Sequence, residues 1–405
     1  MSSTQTNNKD LYKNIYEPQE DSYLLLKHTL NYLDNNFNKK KQTLDICEVG
    51  IGSGFVISNI AQKYNLHNYY GTDINKFAID MTTQKFSKNK INIKLKKTNL
   101  LSKLNHKFDI ILFNTPYLPL EKKEKYENLS LKDKAIYGGK KGYEIIEEFI
   151  YQVGDKLKQE GIAIIIFSSY SNLKYIENLL LQNLYDFKIL ETQRFFFENI
   201  YALKFQKSKK LIEIENNNIT NIKYYTSGKH SKIFKGNYKK QDIIIKLGKF
   251  EHIQIEEIFL KKFQKENFVP KYVTSTKDFI IMEEIKGITI KNFLKKEQDK
   301  NKIIKIFDRI LLITKKLDEY KINKFELINP RKHIIIQSNL EVKFIDFERT
   351  LYTNNPKNIT QILQYIQRNI NLLKKKAIFI DKNKILQISK QYKNNNFKFQ
   401  LKDLY

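Results

Sequence analysis

The sequence predicts two domains in tandem: an open α/β sheet with helices on both faces, then an α+β domain. Three observations carry this. The chain has 405 residues, more than one hydrophobic core usually organises. From residue 43 to about 205, short apolar runs alternate with amphipathic stretches of helical period, the pattern of a mostly parallel sheet. At 206–218 a Lys-rich stretch and an Asn run break that pattern, and short strands followed by a mainly helical remainder take over. The expected layout is a tail at 1–15, a first domain at 16–206, a linker at 207–218 and a second domain at 219–405.

Taken in order, residues 17–34 read as a helix, with Pro18 and acidic residues at its start and Leu24, Leu26, Leu30 and Leu33 on one side. Strands are expected at 43–49, 68–73, 91–97, 108–114 and 162–168, because each is a short apolar or β-branched run bounded by polar or glycine residues. Helices are expected between them at 55–63, 77–86, 144–159 and 173–183. Two strands at 186–191 and 195–205 close the sheet as an antiparallel edge, for a total of seven. In the second domain, strands are expected at 222–225, 231–238, 243–247, near Tyr272 and at 279–284, with a helix at 253–265. A further β pair is expected near 334–337 and 342–345.

Composition narrows the function classes. With 41% hydrophobic and 13% aromatic residues, the chain can build real cores and is not a disordered or collagen-like polymer. Cys47 is the only cysteine, which excludes an internal disulfide framework and a Cys-based zinc site, and its place on an apolar strand reads as packing. The six histidines are scattered without ligand spacing, so no metal site is expected in the first domain. No apolar run approaches a membrane span and the first residues lack a secretory apolar stretch; a cytoplasmic protein without membrane contact is expected.

The net charge of +28 arises from 72 Lys+Arg against 44 Asp+Glu, yet only five of the basic residues are Arg, the side chain suited to bidentate phosphate recognition. Two readings stay open: a lysine bias spread over the whole chain, or a basic surface that favours ribosome or RNA proximity. A nonenzymatic RNA-binding protein would fit the charge alone.

The chemistry-bearing residues sit at strand ends. Glu48-Val49-Gly50-Ile51-Gly52-Ser53-Gly54 lies where the first strand turns into a helix, and glycines there let a ligand approach the backbone. Phe55 breaks the Gly-x-Gly-x-x-Gly spacing of a dinucleotide site. The Glu-x-Gly-x-Gly-x-Gly run instead resembles the loop of class I methyltransferases that bind S-adenosylmethionine, a Rossmann-like fold. Glu48 suits the cationic methionine part of that cofactor. Asp73, closing the second strand, can accept from both ribose hydroxyls. Asn99-Leu100 stands where the family usually has Asp-Leu beside the adenine; Asn keeps an acceptor but loses the charge, which predicts somewhat weaker binding.

Asn114-Thr115-Pro116-Tyr117, at the end of the fourth strand, resembles the Asn-Pro-Pro-Tyr motif of methyltransferases acting on planar nitrogen. An amide nitrogen is a poor nucleophile because its lone pair is delocalised. The Asn114 side-chain oxygen and the Thr115 carbonyl can each accept one of its N–H groups, aligning the nitrogen and stabilising the positive charge that develops on it. Pro116 stiffens the turn, and the Tyr117 ring can lie against the planar group. Thr115 replaces the family's proline, and the expected cost is rigidity rather than chemistry.

Tyr16-Glu17-Pro18-Gln19-Glu20-Asp21-Ser22 narrows the resemblance further. It is similar to the signature of eukaryotic and archaeal HemK-type protein-glutamine methyltransferases, and the likeness runs from about Tyr16 to Phe205, including Gly138-Gly139-Lys140-Lys141-Gly142. The resemblance implies cofactor contacts by Ser22, Glu48, Gly50, Asp73, Asn99, Leu100 and Asn114, the last also binding the substrate amide; Gly52 and Gly54 complete the loop. It implies as substrate the Gln of the Gly-Gly-Gln tip of a class I peptide chain release factor. It implies as partner a small zinc-binding activator subunit covering an apolar sheet edge. The alternative is an adenine amino-methyltransferase acting on DNA or RNA, which would need base flipping and a recognition domain.

From about Ile222 the chain resembles a small protein-kinase-like domain of the archaeal lipopolysaccharide-kinase or RIO type. Residues 226–231 stand at the Gly-rich loop with one glycine, Gly228, instead of three. Lys246 matches the strand lysine that pairs with phosphates, and Glu256 or Glu257 its ion-pair partner. Ile345-Asp346-Phe347-Glu348 resembles the metal-binding Asp-Phe-Gly, with Glu for Gly. The loop Asn329-Pro330-Arg331-Lys332-His333 has Ile328 at the catalytic acid's spacing, although Glu326 lies nearby. The resemblance implies a site for ATP and Mg2+, with binding alone as open as phosphoryl transfer.

Overall fold

The structure, a computed structural model, describes residues 15–37, 42–121, 125–228 and 230–395. The chain divides into two compact units between Lys223 and Tyr224. Of the tail expected at 1–15, residues 1–14 lie outside the described residues, and Ile15 is buried with Ala78 and Met81.

The first unit contains β1 (Asp45–Val49), β2 (Asn68–Asp73), β3 (Ile93–Lys97), β4 (Phe108–Asn114), β5 (Leu118–Pro119), β6 (Tyr137–Gly139), β7 (Leu157–Ser168), β8 (Tyr185–Arg194) and β9 (Asn199–Lys207). Seven of them form one sheet in the order β3-β2-β1-β4-β7-β9-β8, and β5 pairs with β6 apart from it. The pairs from β3 to β7 are parallel; β9 runs antiparallel to β7 and to β8. This is the seven-stranded mixed sheet of a class I methyltransferase.

The strands read as continuous apolar runs because both faces are covered. In β4, Ile110 and Leu112 join Leu24, Leu25, Leu33 and Ile57 in one core, whereas Ile111 and Phe113 join Phe149, Ile176 and Phe205 in the other. The period of two thus sends alternate residues to helices on opposite sides. Helix Glu20–Phe37 closes the first face beside helix Phe55–Lys63, and helices Glu144–Val153 and Leu173–Gln182 close the second. Leu25 has no exposed surface, so Leu25→Ala should destabilise this unit by ~2–5 kcal/mol.

Three expectations are corrected here. The helix expected at 144–159 stops at Val153, before Gly154, and Leu157 already pairs with Phe108 as the first residue of β7. Phe195, Phe196 and Phe197, expected inside the last strand, form the β8–β9 turn, where the Phe195 N–H donates to the Glu198 carbonyl at 2.8 Å. The linker expected at 207–218 holds helix Lys209–Glu215. Its Leu211 joins the core around Phe149, and the fully buried Lys207 side chain pairs with Glu215 at 2.6 Å.

A five-stranded sheet follows in the order β10-β11-β12-β14-β13, where β10 is Ile219–Ser227, a strand that crosses the division, and β11 Lys232–Tyr238, β12 Gln241–Leu247, β13 Tyr272–Ser275 and β14 Phe279–Glu283 belong to the second unit. The registered neighbours β11–β12, β12–β14 and β13–β14 are antiparallel. Helix Phe250–Lys262 packs Ile253, Phe259 and Leu260 into this unit's core. Helices Lys300–Glu319 and Asn358–Arg368 dominate the remainder. The expected β pair is present as β17 (Ile334–Ile336) and β18 (Val342–Phe344), with β15 (Ile288–Thr289) beside β17. A pair not foreseen joins β16 (Ile322–Lys324) to β19 (Thr350–Tyr352).

Candidate active site

The carboxyl ends of β1, β2 and β4 surround a cavity of about 320 Å³ in the first unit, within the ~300–1,000 Å³ range of small-molecule sites. Ser22, Glu48, Gly50, Gly52, Asp73, Asn99, Leu100, Asn114, Thr115, Pro116 and Tyr117 all line it. Gly54 does not. A Cβ on Gly54 would stand 2.6 Å from the Phe86 ring, at φ +65°, so this glycine serves packing of the helix start rather than the cavity wall.

Gly50 and Gly52 also adopt left-handed φ, +63° and +50°, which turns the backbone around the cavity instead of into it. A buried acid and a half-buried one tie this loop down. Glu48 accepts from the Ile57 N–H at 3.1 Å, and burial pushes its carboxyl up to about 8. Asp73 accepts from the Gly52 N–H at 3.0 Å and the Asn75 N–H at 2.7 Å; burial raises its carboxyl too. Lys85 reaches the Ser53 carbonyl at 3.0 Å. Asn99 donates through Nδ2 to Glu148 at 2.7 Å, which leaves its Oδ1 as the acceptor.

The far end of the cavity is organised by Asp21, at the start of helix Glu20–Phe37. Its carboxylate accepts from the Ser22 N–H at 2.6 Å and the Tyr16 hydroxyl at 3.1 Å. Ser22 Oγ in turn accepts from Asn114 Nδ2 at 3.3 Å, and Asn114 Oδ1 is buried without a hydrogen-bond partner. Thr115, 2% exposed, donates to the Ile166 carbonyl twice, through N–H at 3.1 Å and Oγ1 at 2.8 Å. Where the family has proline, this turn is instead tied to β7 by a side-chain hydrogen bond.

The glycine run after the motif is a buttress. A Cβ on Gly138 would meet the Pro116 carbonyl at 2.4 Å, and one on Gly142 the Tyr117 carbonyl at 2.5 Å. Ser171 Oγ bridges the Tyr117 and Gly142 carbonyls at 3.1 and 2.8 Å. Tyr16, Asp21 and Glu198 also line the cavity and were not singled out from sequence. Asp21 stood inside a quoted motif, but nothing local marked Glu198.

This arrangement fits the sulfonium cofactor. Glu48 and Asp73 supply carboxyl oxygens at two strand ends, the loop glycines leave the approach open, and Asn114 Oδ1 is an acceptor with no donor. The family model described as Methyltransferase small domain matches residues 22–131. A putative protein N5-glutamine methyltransferase of Methanocaldococcus jannaschii is 37% identical over 170 residues, 42% of this chain and 80% of that protein. The chain belongs to the protein-glutamine methyltransferases. Methyltransferase HEMK2 of Homo sapiens is 29% identical over 175 residues, covering 42% of this chain and 78% of its own length. A release factor glutamine methyltransferase of Lactococcus lactis is 26% identical over 125 residues, 30% of this chain and 46% of the relative. As a protein-glutamine methyltransferase, the enzyme uses S-adenosylmethionine, and the matched family model lies within the first unit.

The second unit has its own buried ionic cluster. Lys246 Nζ lies 2.7 Å from Glu256, 2.7 Å from Asp346 and 3.0 Å from Glu348. Burial works against its charge, but the three carboxylates outweigh burial and hold the ammonium above its usual value. Glu257 pairs with Lys261 instead, so Glu256 is the partner. Burial alone would raise the Asp346 carboxyl, yet His333, Lys246 and Lys324 hold it well below the usual carboxylate range. Asp346 has φ +65°, and Phe347 is fully buried with Lys324 Nζ 4.1 Å from its ring centre. Glu326 is buried and engaged by Lys324 Nζ and the Arg349 N–H, both at 3.1 Å. Lys229 of the expected phosphate loop lies outside the described residues.

Among the described residues no three His, Cys, Asp or Glu side chains cluster as metal ligands, and no helix is long and apolar enough to cross a membrane.

Proposed function

We propose that the first unit methylates the side-chain amide nitrogen of the Gln in the Gly-Gly-Gln tip of a class I peptide chain release factor, in the cytoplasm. The observation that carries this is the unpaired, buried Oδ1 of Asn114 beside the cavity, an acceptor oriented by Ser22 and waiting for an N–H. Asn114 Oδ1 and the Thr115 carbonyl grip the two amide hydrogens, which holds the nitrogen in line and stabilises its developing positive charge. S-adenosylmethionine, when bound, supplies an electrophilic methyl group. Glu48 would face its cationic methionine part, Asp73 its ribose, and Asn99 and Leu100 its adenine. The names of the relatives support a glutamine, rather than a base, as the acceptor.

A small zinc-binding activator is proposed to cover an edge of the sheet, whose terminal strands are β3 and β8. The second unit is proposed to be a protein-kinase-like module that binds ATP with Mg2+. The Lys246–Glu256 pair, with Asp346 against Lys246, supports this. Because Glu326 is committed to Lys324 and Arg349, binding without phosphoryl transfer is favoured.

The test offers labelled cofactor with release factor, its Gln→Ala tip variant, tRNA and DNA. Label on the intact release factor alone is expected. Label on nucleic acid alone would overturn the protein substrate in favour of the adenine amino-methyltransferase.

A further inference from the structure

The β8–β9 turn has a composition that hairpin turns ordinarily avoid. Phe196 is 100% exposed, Phe197 88% and Phe195 46%, at positions where Gly, Asn, Asp and Ser usually serve. Such aromatic surface in water is a standing penalty unless something covers it. The next residue, Glu198, lines the catalytic cavity together with Asn114, Pro116 and Tyr117.

Glu198 Oε2 is buried and has no hydrogen-bond partner. A buried acceptor without a donor is expensive and calls for an explanation. Two other cavity-lining side chains share this state: Asn114, and the hydroxyl of Thr72, which precedes Asp73 on β2. Glu198 belongs to the nucleophile end of the cavity. Its carboxylate, after burial and Asp21, helps push the Tyr117 phenol up, and both residues line the cavity. Asp21 is already engaged by Tyr16 and Ser22, which leaves Glu198 as the carboxylate with spare capacity beside Tyr117.

We infer that this turn is the substrate-side grip of the enzyme: Glu198 Oε2 accepts a backbone N–H of the loop that carries the target glutamine, while Phe196 and Phe197 pack on the body of the protein bearing that loop. The inference rests on the release-factor reading above. Glycines beside the glutamine leave their N–H groups uncovered and bring no cation, so a backbone donor is the group that meets the carboxylate oxygen. The aromatic tip is continuous with the cavity through one peptide bond, so whatever enters the cavity from a folded protein passes over it. Glu198 is a positioning residue; it touches the substrate backbone and not the reacting nitrogen.

The full-length chain, with its activator where needed, is assayed on intact release factor and on a short Gly-Gly-Gln peptide. Glu198→Ala is expected to raise KM about tenfold or more for both, with kcat within about threefold, cofactor affinity unchanged and a melting temperature no lower than the parent's. Glu198→Gln, which keeps an acceptor oxygen, is expected to restore KM to within about threefold. The Phe196→Ser, Phe197→Ser pair is expected to raise KM for the intact protein and not for the peptide. Unchanged KM in Glu198→Ala would overturn the inference, as would an equal loss in Glu198→Gln, a matching loss of cofactor affinity, or equal effects of the Phe pair on both substrates. If the unmodified enzyme leaves release factor unlabelled, the substrate reading falls and this one with it. Activity indifferent to the turn sinks the turn alone.

Discussion

Asn114 Nδ2 donates to the Ser22 hydroxyl at 3.3 Å, and that bond leaves the other end of the same amide, Oδ1, buried and unpaired. The end of β4 is therefore oriented by the start of a helix far away in sequence. Ser22 is held by Asp21, and Asp21 also takes the Tyr16 hydroxyl, so the acceptor is set before any ligand arrives. Preorganisation of this kind is what lets a hydrogen-bond acceptor act on a transition state rather than merely bind.

Asn114→Ala should lower kcat by about 10²–10³-fold, the range seen when one oriented transition-state partner is removed. Calorimetry should find much of the cofactor affinity retained. Ser22→Ala leaves the acceptor present but unaligned, and a smaller loss of kcat is expected in the same assay.

Thr115 gives a test of what replaces the proline. Thr115→Val removes the Oγ1 bond to the Ile166 carbonyl and should cost about 0.5–1.5 kcal/mol of stability. Thr115→Pro removes the N–H bond as well, so it should not improve on the natural residue, in thermal stability or in turnover.

If Glu48 faces the cofactor as proposed, binding should depend on pH. Its folded carboxyl, pushed by burial to about 8 against an ordinary value of 4.5, is protonated near neutrality in the free enzyme. A cation bound beside it favours the ionised form, so binding releases a proton and affinity rises with pH until about 8, then levels. Calorimetry in two buffers of different ionisation enthalpy counts that proton, and Glu48→Gln should abolish it. The same shift sets a stability trend for the ligand-free protein. A folded value above the unfolded one means Glu48's contribution is full below about 4.5 and is lost as pH rises through about 8, so this term lowers the melting temperature across that window.

In the second unit, Lys246→Met would leave Glu256 buried without its cation, a loss of about 3–5 kcal/mol. The thermal transition of this unit should fall while that of the methyltransferase unit does not. Glu348→Gly removes a competitor for Lys246, and on the proposed nucleotide-binding reading it should tighten ATP binding by about tenfold, the factor that 1.4 kcal/mol gives. A fluorescent nucleotide titration reads both variants.

Much of the first unit was legible because its signals are local. Strand ends carrying Glu48, Asp73 and Asn114 are short apolar runs followed by a turn, and the structure brings all three to one cavity. The misreadings were also local in origin. Residues 157–159 follow a helix without a strong break, and only pairing of Leu157 with Phe108 makes them strand. The Asn-rich stretch at 216–218 suggested an open linker, but Leu211 is buried with Phe149 and holds the preceding helix on the first unit. Three consecutive phenylalanines read as strand by propensity; the register of β8 against β9 makes them a turn.

The sequence by itself determined which chemistry this protein carries, since a glycine loop, two strand-end acids and an Asn-x-Pro-Tyr turn owe their meaning to residue type and spacing. Only the tertiary structure decided which atoms of those groups are spent and which are free. Asn114 is 92 residues from the serine that orients it, Asp21 is satisfied where Glu198 is not, and Glu256 rather than Glu257 meets Lys246. Hydrogen-bond satisfaction is a property of everything that surrounds an atom, and in this fold those surroundings come from parts of the chain that lie far apart in sequence.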